Sequence, residues 1–246
     1  MDDGLIQNCH RLIEAYKTLA LGNCRMPEDA APIFHLNQTE ERLAFFTLPM
    51  ALNYQRDSYK LWEAATKAWN DPTTHGVFVI EQVVQMSTPD LRSKLLKHKV
   101  ALQPNKHVAT WQTIARTVQA HWKDLNGLMF ASNQDFLFLQ KLIQQDHKKG
   151  FPYLSGPKIF HYWSFILSTY GKIPLKNRDA IEIAPDTHIT KCSVKLGVIT
   201  AAEAETWPRE KISARWRERL AGSGIDPIDM HPPLWFWSRN DFQFKL

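Results

Sequence analysis

Two residues, Lys158 and Asp186, have the types and settings for chemistry at an electrophilic carbon. Lys158 follows the tight turn Gly156-Pro157 and opens the segment KIFHYWSFILSTY, whose Ile159, Tyr162, Trp163, Ile166 and Leu167 form an apolar stripe. Gly then Pro at this place reads as a helix start. A helix start offers backbone N–H groups and a partial positive charge, which grip a phosphate without reading sequence. A lysine there either strengthens that grip or acts as a nucleophile, if packing among aromatic rings favours its free amine. Asp186 lies in Ile183-Ala-Pro-Asp-Thr-His-Ile189 and reads as the N-cap of a second helix. A carboxylate held at a helix mouth can also face a developing cation, such as the oxocarbenium formed when an N-glycosidic bond breaks. His188, one turn inside, reads as a hydrogen-bonded core histidine.

The elements that must position this pair are helical. Apolar spacing predicts a helix over Leu5–Leu21, stopped by Gly22 and Asn23. A second helix opens at Thr39 and runs through LAFFTLPMALNYQ, where Pro49 is expected to kink or divide it. Asp57 or Ser58 caps a third, closed by Asn70-Asp71-Pro72. GVFVIEQVVQM, residues 76–86, has the β-branched content of a strand but helical surroundings, and is read as helix. Ser87-Thr88-Pro89-Asp90 starts the next. Further helices are expected over His107–Lys123, Ser132–His147, Ala201–Ala221 (stopped by Gly222 and Gly224) and Asp226–Arg239. Strand alternation is nearly absent, so the class is all-α. The expected organisation is one unit over residues 1–246 made of two helical lobes around a cleft, the chain crossing between them and returning.

The 246 residues suffice for one well-cored domain or two small lobes. A net charge of +5 permits a polyanionic partner without requiring one. Nine tryptophans suit a large core or a pocket that stacks flat ligands. The three cysteines, Cys9, Cys24 and Cys192, lack metal-ligand spacing and are expected as free thiols. No iron–sulfur or zinc site can be built from them, and no cofactor or metal is expected. No apolar run is long enough for a bilayer, and the acidic, then amphipathic start does not suit a signal peptide. The expected setting is the cytoplasm, or the nucleus in a eukaryote, with no membrane association.

Tyr153-Leu-Ser-Gly-Pro-Lys158 and Pro185-Asp-Thr-His-Ile189 together resemble the motifs of the helix–hairpin–helix DNA glycosylases. That family reads Leu-x-Gly-hydrophobic-Gly-x-Lys through its hairpin and Val-Asp-Thr-His-hydrophobic at its carboxylate. The resemblance spans roughly residues 132–239, with the hairpin at about 148–158. It implies that Lys158 is the Schiff-base nucleophile of a bifunctional glycosylase and Asp186 its essential carboxylate. The family's first hairpin glycine is replaced by Leu154, which is expected to alter one backbone contact to phosphate. The long separation of Lys158 from Asp186 and the segment GIDPIDMHPPLWFWSR are closer to the archaeal 8-oxoguanine glycosylase branch. By that resemblance Trp235 stacks on the flipped base, and His231 stands where the branch has an acid.

Gln55, with Asn53 as neighbour, matches the glutamine that fills the gap left by the flipped base, and equally suits an ordinary helix C-terminus. Lys148, Lys149 and the Gly156 backbone are the candidate contacts to DNA phosphates, with Arg56, Lys60 and Arg239 as further cations. The implied partner is double-stranded DNA containing a damaged base, bound by a monomer. The implied activity is removal of that base, most naturally 8-oxoguanine, with AP lyase cleavage. The alternatives are a monofunctional glycosylase and a helical DNA-binding or protein-interaction module without the chemistry.

Overall fold

The computed structural model describes residues 3–22 and 25–246; Cys24 lies outside them. The described residues form thirteen α-helices: α1 (Asp3–Lys17), α2 (Thr39–Leu52), α3 (Ser58–Asn70), α4 (Ile80–Gln85), α5 (Thr88–Lys97), α6 (Pro104–Trp122), α7 (Leu125–Ala131), α8 (Phe136–Lys141), α9 (Pro157–Thr169), α10 (Thr187–Lys195), α11 (Ala201–Thr206), α12 (Arg209–Leu220) and α13 (His231–Arg239). Among them there is no strand, only an isolated parallel bridge between Asp135 and Lys176. The all-α class holds. The chain divides into two compact units, one of residues 27–176 and one that joins residues 1–26 to 177–246.

The unit of residues 27–176 is built on α2. Every residue from Leu43 to Leu52 is buried, as expected of a helix whose sequence is apolar all round. α3, α6, α7 and α9 pack against it. The polar exception, Thr47, is satisfied twice: its hydroxyl donates to Leu43 O at 2.7 Å and accepts from Trp163 Nε1 at 3.1 Å. Pro49 does not divide the helix. It lies in the last turn, flanked by fully enclosed Leu48 and Met50, so close packing holds the backbone where one amide bond is missing.

Several caps match the sequence. Asp57 accepts from Lys60 N, and Ser87 accepts from Asp90 N. Three spans do not. Residues 76–86 split into a 3-10 turn, His75–Phe78, and the short α4. The helix expected from Ser132 instead starts at Phe136, capped by the Asp135 carboxylate, and passes into a π-helical turn over Leu142–Asp146. The Ala201–Ala221 span breaks at Trp207-Pro208, because Pro208 has no N–H and becomes the N-cap of α12. Beyond α12, Gly222 and Gly224 adopt φ of +75° and +77°, the left-handed region that ends helices.

In the other unit α13 packs on α10 and α1. Tyr16 stacks on Phe236 with ring centroids 5.8 Å apart. Trp216 Nε1 donates to Ser193 Oγ at 2.8 Å, and the Cys192 thiol donates to Leu234 O. Burial pushes the Cys9 and Cys192 thiols up to about 12, so both are inert packing groups. Arg178 bridges Asp226 and Asp229 and so fixes the segment leading into α13.

Candidate functional site

The turn ahead of Lys158 is closed from inside. Phe151 and Leu154 are fully buried, and Gly156 N donates to Tyr153 O at 3.0 Å. Tyr153, not a glycine, takes the left-handed conformation at φ +65°. Leu154 N donates to Pro152 O at 2.7 Å, so the amide at this position is already used within the turn. Gly156 is the N-cap of α9, and Phe160 N donates to its carbonyl at 2.8 Å. Pro157 is the first helical residue and Lys158 the second. The Lys158 side chain is exposed rather than packed among aromatic rings, because the buried residues of α9 begin only with Phe160; of the expected stripe, Ile159 and Tyr162 are half-buried.

One turn beyond Lys158, Tyr162 donates to Glu28 Oε1 at 3.3 Å. Glu28 is 2% exposed. Burial pushes its carboxyl up to about 7 against the opposing hydrogen bonds from backbone and Tyr162. Sequence reasoning missed Glu28, since Pro27-Glu28-Asp29-Ala30 reads as an ordinary polar turn.

The same unit holds further candidates. Asn53 caps the end of α2; its side chain exchanges hydrogen bonds with Ser58 Oγ, and its carbonyl accepts from Tyr153 OH at 2.9 Å. Gln55 is exposed at φ +49° in the loop that follows. It is therefore neither a helix residue nor a helix C-terminus. Tyr54, between them, packs its ring edge to face on Tyr153 at 5.3 Å and lies under the Lys106 ammonium at 4.2 Å. Tyr54, Tyr153 and Lys106 are absent from the sequence-predicted set; only the fold brings them beside Asn53 and Gln55. Arg56 is not a free cation for phosphate: its guanidinium donates to Val100 O at 2.6 Å and Lys99 O at 3.0 Å. Lys148 and Lys149 are exposed on a 3-10 turn, Lys148–Gly150.

Asp186 is the N-cap of α10, as its sequence predicts; Oδ1 accepts from Ile189 N at 2.9 Å. The extended backbone at Asp186 and the Pro before it end the connector and aim the carboxylate along the first turn. Lys158 belongs to the 27–176 unit and Asp186 to the other. His188 is half-buried and hydrogen-bonded, its Nδ1 lying 3.1 Å from Ser238 Oγ. It also meets the Trp235 ring edge to face at 5.5 Å. Trp235 is half-buried on α13, with Phe236 at 5.1 Å and the Arg239 guanidinium over its face at 4.7 Å. Arg239 is thus engaged with an indole. His231 is buried at the first position of α13. The structure therefore brings the Asp186 helix, His188 and Trp235 together in one unit. No protein-family model matches the chain, and no curated protein matches it.

Proposed function

We propose that the chain is a bifunctional DNA glycosylase that removes an oxidised purine such as 8-oxoguanine from double-stranded DNA and then cleaves the strand. The observation that carries this reading is the capping carboxylate Asp186 on a helix packed against α13, whose indole Trp235 is reached through His188. That arrangement supplies an anion for a sugar cation and a flat apolar face for an extruded base. Lys158, placed in the first turn of α9, supports it from the motif side.

In this reaction the Lys158 amine, having released a proton, attacks C1′ of the deoxyribose. The bond from C1′ to the base nitrogen breaks, and the base departs with that electron pair and takes up a proton. Asp186 balances the positive charge that develops on the sugar and helps move the proton. Ring opening leaves an iminium between Nζ and C1′. Loss of a C2′ proton then expels the 3′ phosphate, and hydrolysis returns the lysine.

The exposure of Lys158 favours a second reading, in which the lysine only grips phosphate and water attacks C1′. Borohydride trapping on 8-oxoguanine DNA and on abasic DNA separates the two. The first reading expects a covalent adduct that disappears in Lys158→Gln. Base release without any adduct, retained in Lys158→Gln and lost in Asp186→Asn, would establish the second. No turnover on oxidised, deaminated or alkylated bases would remove both.

A further inference from the structure

The charge cluster of Arg178, Asp226 and Asp229 takes no part in the chemistry assigned to Lys158 and Asp186. Arg178 Nη1 donates to Asp226 Oδ2 at 2.5 Å and to Asp229 Oδ2 at 2.8 Å, and Nη2 donates to Asp229 Oδ1 at 2.5 Å. The two bonds to Asp229 form a fork, which fixes orientation as well as distance. The two sides of the cluster are anchored differently. On the arginine side, the connector that ends at Asp186 has Ile181 and Ile183 buried, and Ser213 Oγ donates to Ile183 O at 2.8 Å. Asp186 then closes its own cap on Ile189 N. On the acid side, the 3-10 turn Pro227–Met230 runs straight into α13, and neither N-cap residue, Asp226 or Met230, makes a side-chain cap bond. Asp226 is the right residue type for a cap, yet its carboxylate is turned to Arg178. Pro232 and Pro233, in the first turn of α13, have no N–H by which a cap could hold it. Local sequence thus leaves the start of α13 without a fastening of its own, and the arginine fork supplies one. Trp235 rides on that helix, its ring 5.5 Å from His188 of α10.

We propose that Arg178 is a positioning residue: through Asp226 and Asp229 it sets the Trp235 indole against α10, and so governs how firmly a flat base is stacked there. The consequence for a base rests on the function proposed above; the placement of Trp235 does not. Asp186 is fastened independently of the fork, so loss of the fork acts on binding of the base and spares the step at C1′.

The test uses Arg178→Lys, which keeps the charge and loses the fork, and Asp229→Asn, which breaks the fork from the other side should the first variant fold poorly. Fluorine NMR of the full chain labelled with 5-fluorotryptophan reads placement directly, the Trp235 resonance being assigned by its loss in Trp235→Phe. Each variant is expected to shift or broaden that resonance while the indoles of the 27–176 unit keep theirs. The double variant should add nothing further, because both changes remove one interaction. On 8-oxoguanine duplex, KM should rise about tenfold with kcat within about twofold of wild type. Borohydride trapping on abasic DNA, which needs no stacked base, should be unchanged. An unmoved Trp235 resonance in both variants overturns the proposal. So does a loss of kcat and of trapping with KM unchanged, which would make the cluster a support of Asp186. A displaced Trp235 in a chain whose wild type turns over no lesion leaves the positioning role standing and removes the enzyme. A displaced Trp235 with unchanged KM in an active enzyme overturns the link from the fork to base stacking.

Discussion

The Tyr153 hydroxyl donates a 2.9 Å hydrogen bond to the carbonyl of Asn53, one hundred residues earlier in the chain. With the edge-to-face contact of Tyr54 on Tyr153, it ties the end of α2 to the turn that leads into α9. The candidate Gln55 and the turn proposed to contact phosphate are thereby held on neighbouring backbone. Tyr153→Phe keeps the ring contact and removes only the hydroxyl. It should lower stability by about 1 kcal/mol and weaken binding to lesion-containing duplex. Urea unfolding and anisotropy titration measure the two effects; unchanged affinity would show that the tie is purely structural.

Asp186 caps α10 in the structure and carries a catalytic role in the proposed reaction, and the two are separable. Asn retains a side-chain oxygen able to accept from Ile189 N, now 2.9 Å from Oδ1, so Asp186→Asn should keep stability within a few tenths of a kcal/mol while abolishing base release. Asp186→Ala should lose both, with a stability cost of about 1 kcal/mol. Thermal unfolding beside a base-release assay distinguishes them. If Asp186→Asn excises bases at the wild-type rate, the carboxylate is only a cap.

Glu28 gives a pH signature. Its carboxyl is held up to about 7 in the fold, against an ordinary 4.5. Between those values the folded state holds the extra proton, so stability is greatest below about 4.5, declines as pH rises, and bears the full penalty above about 7. Glu28→Gln is neutral throughout. It should match wild type at about pH 4 and exceed it at about pH 8 by up to about 3 kcal/mol. Glu40, also raised to about 7 by burial despite accepting from Leu125 N and Asn126 N, has the same sign and keeps part of the decline in the variant. Denaturant midpoints across that range measure it; parallel curves for variant and wild type would contradict the assignment.

Trp235 is half-buried on α13, so its truncation should leave a folded protein. If it stacks on an extruded base, Trp235→Ala should cost about 1–3 kcal/mol in affinity for lesion duplex and little for undamaged duplex. Trp235→Phe should recover part of that loss. Equal losses on both duplexes would assign the indole to packing with His188 and Arg239 alone.

Local features were legible in the residues alone. Asp57, Ser87 and Asp186 announce helix starts because a short acceptor satisfies an amide two or three residues on, with no help from the fold. The run Leu43–Leu52, apolar except for Thr47, has the composition of a buried helix. Continuity through Pro49, the break at Pro208 and the late start at Phe136 were not legible, because each weighs a backbone penalty against packing from distant residues. The surroundings of the candidate groups were decided in the same way. Exposure of Lys158, capture of Arg56 by the Lys99 and Val100 carbonyls, and burial of Glu28 under Tyr162 all depend on which helices become neighbours. Only tertiary structure sets those partners, since contact energies act through space and leave no spacing in the chain.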